Sequence, residues 1–205
     1  MYLFDNYYTI TELAKLVHAL LCTRLFYPGA LIVRRPIIVR GRPRMDFGKG
    51  FACGRNCRLE AFGQKSDRCT KLVFGTNCHI GDNVHIAAAE RVSLGDNCLL
   101  ASHVFITDLN HGSYSGTVGS DPNSDPNQRR LSTRPVCIGS NVWIGENVCI
   151  LPGTTIGDGC VVGAGSVVTR DLPSGTLAVG APARPIRRYD PQSGAWRRIQ
   201  TDELP

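Results

Sequence analysis

Residues 138–170 read IGSNVW IGENVC ILPGTT IGDGCV VGAGSV VTR, and an aliphatic residue opens every block of six: Ile138, Ile144, Ile150, Ile156, Val162 and Val168. Gly139, Gly145, Gly157 and Gly163 follow four of these residues, and the fourth position onward holds Val142, Val148, Thr154, Cys160 or Ser166. A period of six fits neither the 3.6-residue repeat of an amphipathic helix nor the alternation of a hairpin strand. It predicts a solenoid in which each hexad forms one short face of a triangular coil. The aliphatic residue points inward, the small residue sits near the corner, and Gly or Asn eases the turn. Three hexads close a coil, and stacked coils bury a continuous aliphatic column.

Working outward, the register recurs at Phe74, Ile80, Ile86 and Val92, slips by two residues, and resumes at Leu94, Leu100 and Ile106. Cys78 and Cys98 occupy its small slot. The period vanishes over 107–135, a stretch rich in Asn, Gly, Ser, Asp and Pro, which reads as an inserted loop of functional length. Residues 31–188 are thus expected to be one β-helical domain, with irregular first coils over about 30–73 where Pro28, Pro36 and Pro43 break the pattern. A helical segment (1–30) precedes it and a tail (189–205) follows. Thr9 stands three residues before Glu12, a capping-box spacing, and Leu13, Leu16, Val17, Leu20 and Leu21 follow at helical intervals. This predicts an amphipathic helix that packs over the open end of the solenoid or against another subunit, with attachment to a membrane surface as the alternative.

The 205 residues suit one domain with short appendages. No apolar run reaches the length of a membrane span, and the N-terminus lacks the basic start of a secretory signal, so a cytoplasmic location is expected. Nine cysteines, an odd number, read mainly as small core residues in a reducing compartment. Cys53 and Cys57 form the only close pair, with no second pair to complete a zinc site. The net charge of +6 suits a phosphorylated ligand, whereas nucleic-acid binding is disfavoured because the basic residues are not interleaved with aromatics.

The hexads, the loop Ile106-Thr107-Asp108-Leu109-Asn110-His111-Gly112, the run from Pro135 to Gly145 and the closing stretch Ala178-Val179-Gly180-Ala181-Pro182-Ala183-Arg184-Pro185-Ile186 together resemble the hexapeptide-repeat acetyltransferases. Within that family the resemblance is to the branch that acetylates O-antigen and other surface polysaccharides. It implies an all-β fold, a left-handed parallel β-helix, an exception to the usual right-handed crossover. It also implies acetyl-CoA as co-substrate, and a homotrimer with active sites between adjacent subunits.

Moving an acetyl group from a thioester to a hydroxyl requires a base, stabilisation of a tetrahedral oxyanion and a departing thiolate. An imidazole suits the first task, since its ordinary pKa of about 6.5 lies near working pH. Of five histidines only His111 lies in the inserted loop, where it resembles the family's catalytic base. Asp108 and Asn110 are candidates to orient it or to bind the sugar, with turn formation as the alternative. Leu109 replaces the first histidine of the Asp-His-Asn-His-Gly pattern common in this loop.

Trp143, one residue before the inward Ile144, faces outward, and by resemblance lines the cleft for the pantetheine arm or the sugar. Packing against a neighbouring subunit is its other reading. His85, six residues after His79, is a candidate border of the acceptor pocket. Ala164, Thr169 and Arg170 match family positions that contact the coenzyme, Arg184 and Arg187 follow at the phosphate end, and Gly145 and Gly163 are expected to leave room for the pantetheine arm. No metal is expected, because the close pair of histidine ligands used by the γ-class carbonic anhydrases on this solenoid is absent.

The function expected is O-acetylation of a sugar hydroxyl in lipopolysaccharide O-antigen or another surface polysaccharide, by direct transfer with His111 as general base. The alternatives are N-acetylation of an amino sugar or sugar nucleotide, and a non-catalytic assembly subunit. The loop over 114–134 is expected to decide the acceptor.

Overall fold

The computed structural model describes residues 8–64, 66–114 and 119–199. Three parallel sheets wind into a left-handed β-helix of triangular section. On the first face Val33, Cys53, Ile80, Leu100, Ile144, Val162 and Ala178 stack in register. On the second, Val39, Leu59, Ile86, Ile106, Ile150 and Val168 do so. On the third, Phe47, Phe74, Leu94, Ile138, Ile156 and Leu172 do so. These columns meet in one continuous core, so every coil is stabilised by the coils above and below it.

The small slot has a physical reason beyond size. Cys57, Cys78, Cys98 and Cys160 are buried, and each thiol lies 3.0–3.1 Å from a carbonyl of the following coil, on Gly81, Gly95, Gly139 and Pro173 respectively. The thiols thus give corner carbonyls a partner from within the core. Asn77, Asn97 and Asn141 take the left-handed conformation at successive corners, with φ of 54°, 57° and 58°, and their side-chain amides chain from coil to coil.

The expected irregularity of 30–73 is not what the chain does. Ile37–Arg40 pairs residue for residue with Cys57–Glu60, and Met45–Phe47 with Leu72–Phe74. Corner excursions of unequal length, such as 62–71, hide the period. Tyr27, Phe47, Phe51 and Phe74 close the open end, with ring centroids 4.6–5.6 Å apart. The tail expected from 189 also differs: strands Thr176–Val179, Arg184–Asp190 and Ala195–Arg198 run antiparallel and extend the first face.

The N-terminal helix spans Ile10–Phe26 and begins with the expected capping box between Thr9 and Glu12. Ala19 and Thr23 are buried against the first coil, where the Thr23 hydroxyl accepts from Val33 N at 2.8 Å. In one chain Leu13, Val17 and Leu21 of the expected apolar stripe are exposed, and the helix packs on the solenoid through Ala19 and Thr23.

Candidate active site

All the long excursions leave one corner of the prism, between the second and third faces. The largest follows Ile106 on the fourth coil and opens as an antiparallel pair, Leu109–His111 with Leu131–Thr133, in which His111 stands opposite Leu131. This hairpin carries the imidazole of His111 out from the core surface, and the residue is exposed. The Tyr114 hydroxyl donates to the His111 carbonyl, and Arg129 Nη1 donates to the same hydroxyl at 2.8 Å. Arg129 Nη2 also donates to the carbonyls of Pro122 and Ser124, at 3.1 and 2.8 Å, so one guanidinium ties Tyr114 to the turn at 122–124.

Asp108 lies at the base of the hairpin and is fully buried. Its Oδ1 accepts from Ala89 N at 2.8 Å, while Oδ2 accepts from Glu90 N at 2.8 Å and Arg91 N at 2.7 Å. The carboxylate is thereby committed to the corner of the third coil. That corner is the two-residue slip in the sequence register. The expected contact of Asp108 with the base or the sugar is corrected: its burial and three amide partners make it the anchor of the hairpin. Arg134 N in turn donates to the Asp108 carbonyl at 2.8 Å, and Gly153 N to the Arg134 carbonyl at 3.0 Å, so both legs are fixed across three coils. Asn110 is half-buried on the His111 strand, paired with Ser132.

His85 lies on the second face beside Phe105, with ring centroids 5.2 Å apart, and contacts the buried Glu60. Glu60 also holds Arg58 at 2.7 Å and Arg40 at 3.1 Å. Burial opposes its charge, but hydrogen bonds from Arg58 and His85 and the charges of Arg58 and Arg40 hold its pKa below the usual 4.5. Nothing in the sequence singles out Glu60, an acid flanked by Leu59 and Ala61.

Trp143 is exposed on the first face, in an outward row with Leu99, Val161 and Leu177. Within one chain this face lies opposite the corner that bears His111, so the structure does not bring Trp143 and His111 together. Thr169 and Arg170 leave the second face at the His111 corner, two coils further on, and both are exposed. Ala164 is exposed at the corner between the first and second faces, and Arg184 and Arg187 are exposed on the terminal hairpin.

The two glycines expected to make room for pantetheine are already occupied. A Cβ on Gly145 would fall 2.6 Å from Ala164 N and 2.9 Å from Val162 O, and one on Gly163 would fall 2.7 Å from Val179 Cγ1. The missing side chains let the next coil close down, which reassigns both residues to coil stacking. Among the described residues, no three His, Cys, Asp or Glu side chains gather to hold a metal ion.

The chain matches the bacterial transferase hexapeptide family (six repeats) over 138–170 and the hexapeptide repeat of succinyl-transferase over 72–108. It is 42% identical over 192 residues to the putative lipopolysaccharide biosynthesis O-acetyl transferase WbbJ of Escherichia coli K12, covering 93% of this chain and 95% of that protein. Galactoside O-acetyltransferase of the same organism is 38% identical over 123 residues, 57% of each chain. Among solved structures, galactoside acetyltransferase in complex with coenzyme A superposes with a TM-score of 0.52 at 26% identity, covering 80% of this chain and 74% of that one. The N-acyltransferase AntD of Bacillus cereus shares the fold, with a TM-score of 0.65 at 20% identity over 92% of this chain and 94% of that one. With hexads along every face and a relative matched along nearly its whole length, the chain belongs to the hexapeptide-repeat acetyltransferase family.

Proposed function

We propose that this chain transfers the acetyl group of acetyl-CoA to a sugar hydroxyl of lipopolysaccharide O-antigen or a related surface polysaccharide, with His111 as general base. The observation that carries the reading is an exposed imidazole on a hairpin whose base is pinned by the buried Asp108 carboxylate. The 42% identity to an O-acetyl transferase of lipopolysaccharide biosynthesis supports the acceptor class. Coenzyme A in the related galactoside acetyltransferase supports the donor.

In the proposed reaction the acceptor oxygen attacks the thioester carbonyl carbon while the His111 imidazole takes the hydroxyl proton. The C–O bond forms, the tetrahedral centre collapses with cleavage of C–S, and the imidazolium returns the proton to the leaving thiolate. Backbone N–H groups shape the oxyanion region. His111 and Trp143 lie on opposite sides of the prism, so a site using both is built between two copies of the chain, in keeping with a homotrimer.

The test is thiol release from acetyl-CoA by wild-type and His111→Ala protein with a panel of polysaccharide fragments bearing free hydroxyls or free amines. Hydroxyl-dependent release, reduced by about 10²–10⁴-fold in the variant with coenzyme binding retained, is the expected result. Release with amine acceptors alone moves the reading to N-acetylation, equal release from both proteins removes His111, and absence of coenzyme binding leaves an assembly subunit.

A further inference from the structure

We infer that the cleft between the N-terminal helix and the first two coils is a binding site for a phosphate or diphosphate group. Arg34 and Arg35 follow Val33 at the corner between the first and second faces, and Arg55 follows Cys53 at the same corner one coil further on. Lys15 joins them from the helix, and Leu16 and Ala19 add an apolar lining. The four basic side chains thus line one cavity of about 110 Å³. Sites that enclose a whole small molecule run to roughly 300–1,000 Å³. This one has room for a small group, with the rest of its carrier outside.

Charge and missing partners select the occupant. Arg34 and Arg55 are half-buried, yet among the described residues no hydrogen bond or ion pair engages either guanidinium. Arg35 lies over the Phe26 ring at 5.6 Å. The acids nearby are committed elsewhere: Glu12 accepts from Thr9 N and Oγ1, both at 2.8 Å, and Asp82 Oδ1 accepts from Arg55 N at 2.6 Å. Partly buried cations without partners carry a desolvation cost that a bound anion offsets. Guanidinium forks take phosphate oxygens two at a time, and four cations against the one carboxylate in the lining suit a group of more than one negative charge. The site is separate from the residues expected at the coenzyme. Arg184 and Arg187 lie on the terminal hairpin, and Ala164 stands at this same corner four coils beyond Arg55, about 19 Å away at the spacing of stacked strands. The inference does not depend on the proposed acetyl transfer, because its readout is binding.

The experiment is calorimetric titration of the full chain with inorganic pyrophosphate, in wild-type, Arg34→Gln/Arg55→Gln and Arg184→Gln/Arg187→Gln protein. Circular dichroism and light scattering monitor folding and assembly size. The expected result is binding that weakens as salt is raised, falls at least tenfold in Arg34→Gln/Arg55→Gln protein of unchanged fold, and is unaltered in the other variant. Absence of wild-type binding, or binding that Arg34→Gln/Arg55→Gln leaves intact, overturns the inference. Loss in Arg184→Gln/Arg187→Gln protein alone assigns the anion to the terminal hairpin and overturns it as well. If the first variant does not fold, Lys15→Gln/Arg35→Gln, at two exposed positions of the same lining, takes its place with the same readings. Uridine diphosphate and farnesyl diphosphate, titrated in the same way, then tell a nucleotide carrier from a lipid one by which binds more tightly than pyrophosphate, and equal binding of all three assigns the site to the free anion.

Discussion

His85 Nε2 lies 3.1 Å from Glu60 Oε2, across two strands that the sequence separates by 25 positions. Glu60 is held by this contact together with Arg58 and Arg40, so the folded state favours its charged form. Its folded pKa is lowered, so the stabilisation is complete above the usual value of 4.5 and is lost as pH falls through the folded-state pKa. Glu60→Gln removes the charge and keeps the shape. It is expected to lower stability by about 1–3 kcal/mol at pH 7, with the difference from wild type closing in acid. Denaturant titrations at pH 7 and pH 3.5 check this, and a pH-independent difference removes the ionic account.

Asp108 gives a sharper case. Three amides, of Ala89, Glu90 and Arg91, share its carboxylate in a site closed to water. Asp108→Asn is isosteric, yet one of its two positions becomes a donor facing N–H groups. The variant is expected to lose about 2–4 kcal/mol of stability. Because Asp108 acts through the hairpin, kcat is expected to fall with little change in the KM for acetyl-CoA. A KM effect with kcat unchanged contradicts this positioning role.

These two residues mark how far the sequence could be read. The inward columns were legible from Ile138 to Val168 because stacking imposes the period of six on every coil. The hairpin was legible as a break in that period, and His111 as its one imidazole. What Asp108 does was not, since its partners lie 17–19 positions away in a corner that registers in sequence only as a slip. Glu60 left no pattern at all. The glycines misled for a related reason: Gly145 follows Ile144 in the manner of a turn, but its contact is with the next coil.

That contact separates two kinds of glycine. A Cβ on Gly145 meets the backbone of Ala164 at 2.6 Å, whereas Gly159, at φ 64°, has open space around it. Gly159→Ala is expected to cost about 1 kcal/mol through its left-handed backbone alone. Gly145→Ala must move a backbone and is expected to cost more than about 2 kcal/mol. Thermal melts of the two variants check the order, and equal losses would return Gly145 to a turn role.

The placement of His111 and Trp143 makes the strongest claim about assembly. Trp143 is exposed on the face opposite the His111 corner, so its removal leaves the core intact and stability nearly unchanged. Trp143→Ala is expected to raise the apparent Kd for acetyl-CoA several-fold, and the coenzyme to quench wild-type fluorescence through Trp143 and not through Trp196, which packs on Tyr189. If each site takes His111 from one copy and Trp143 from the next, two crippled variants can rescue each other. In trimers randomly reassembled from equal parts His111→Ala and Trp143→Ala, about one quarter of the inter-subunit sites hold both native residues. Assayed below the KM for the coenzyme, the mixture is expected to show about that fraction of wild-type activity, well above either variant alone. Activity no higher than the mean of the two variants would mean that His111 and Trp143 do not share a site across copies.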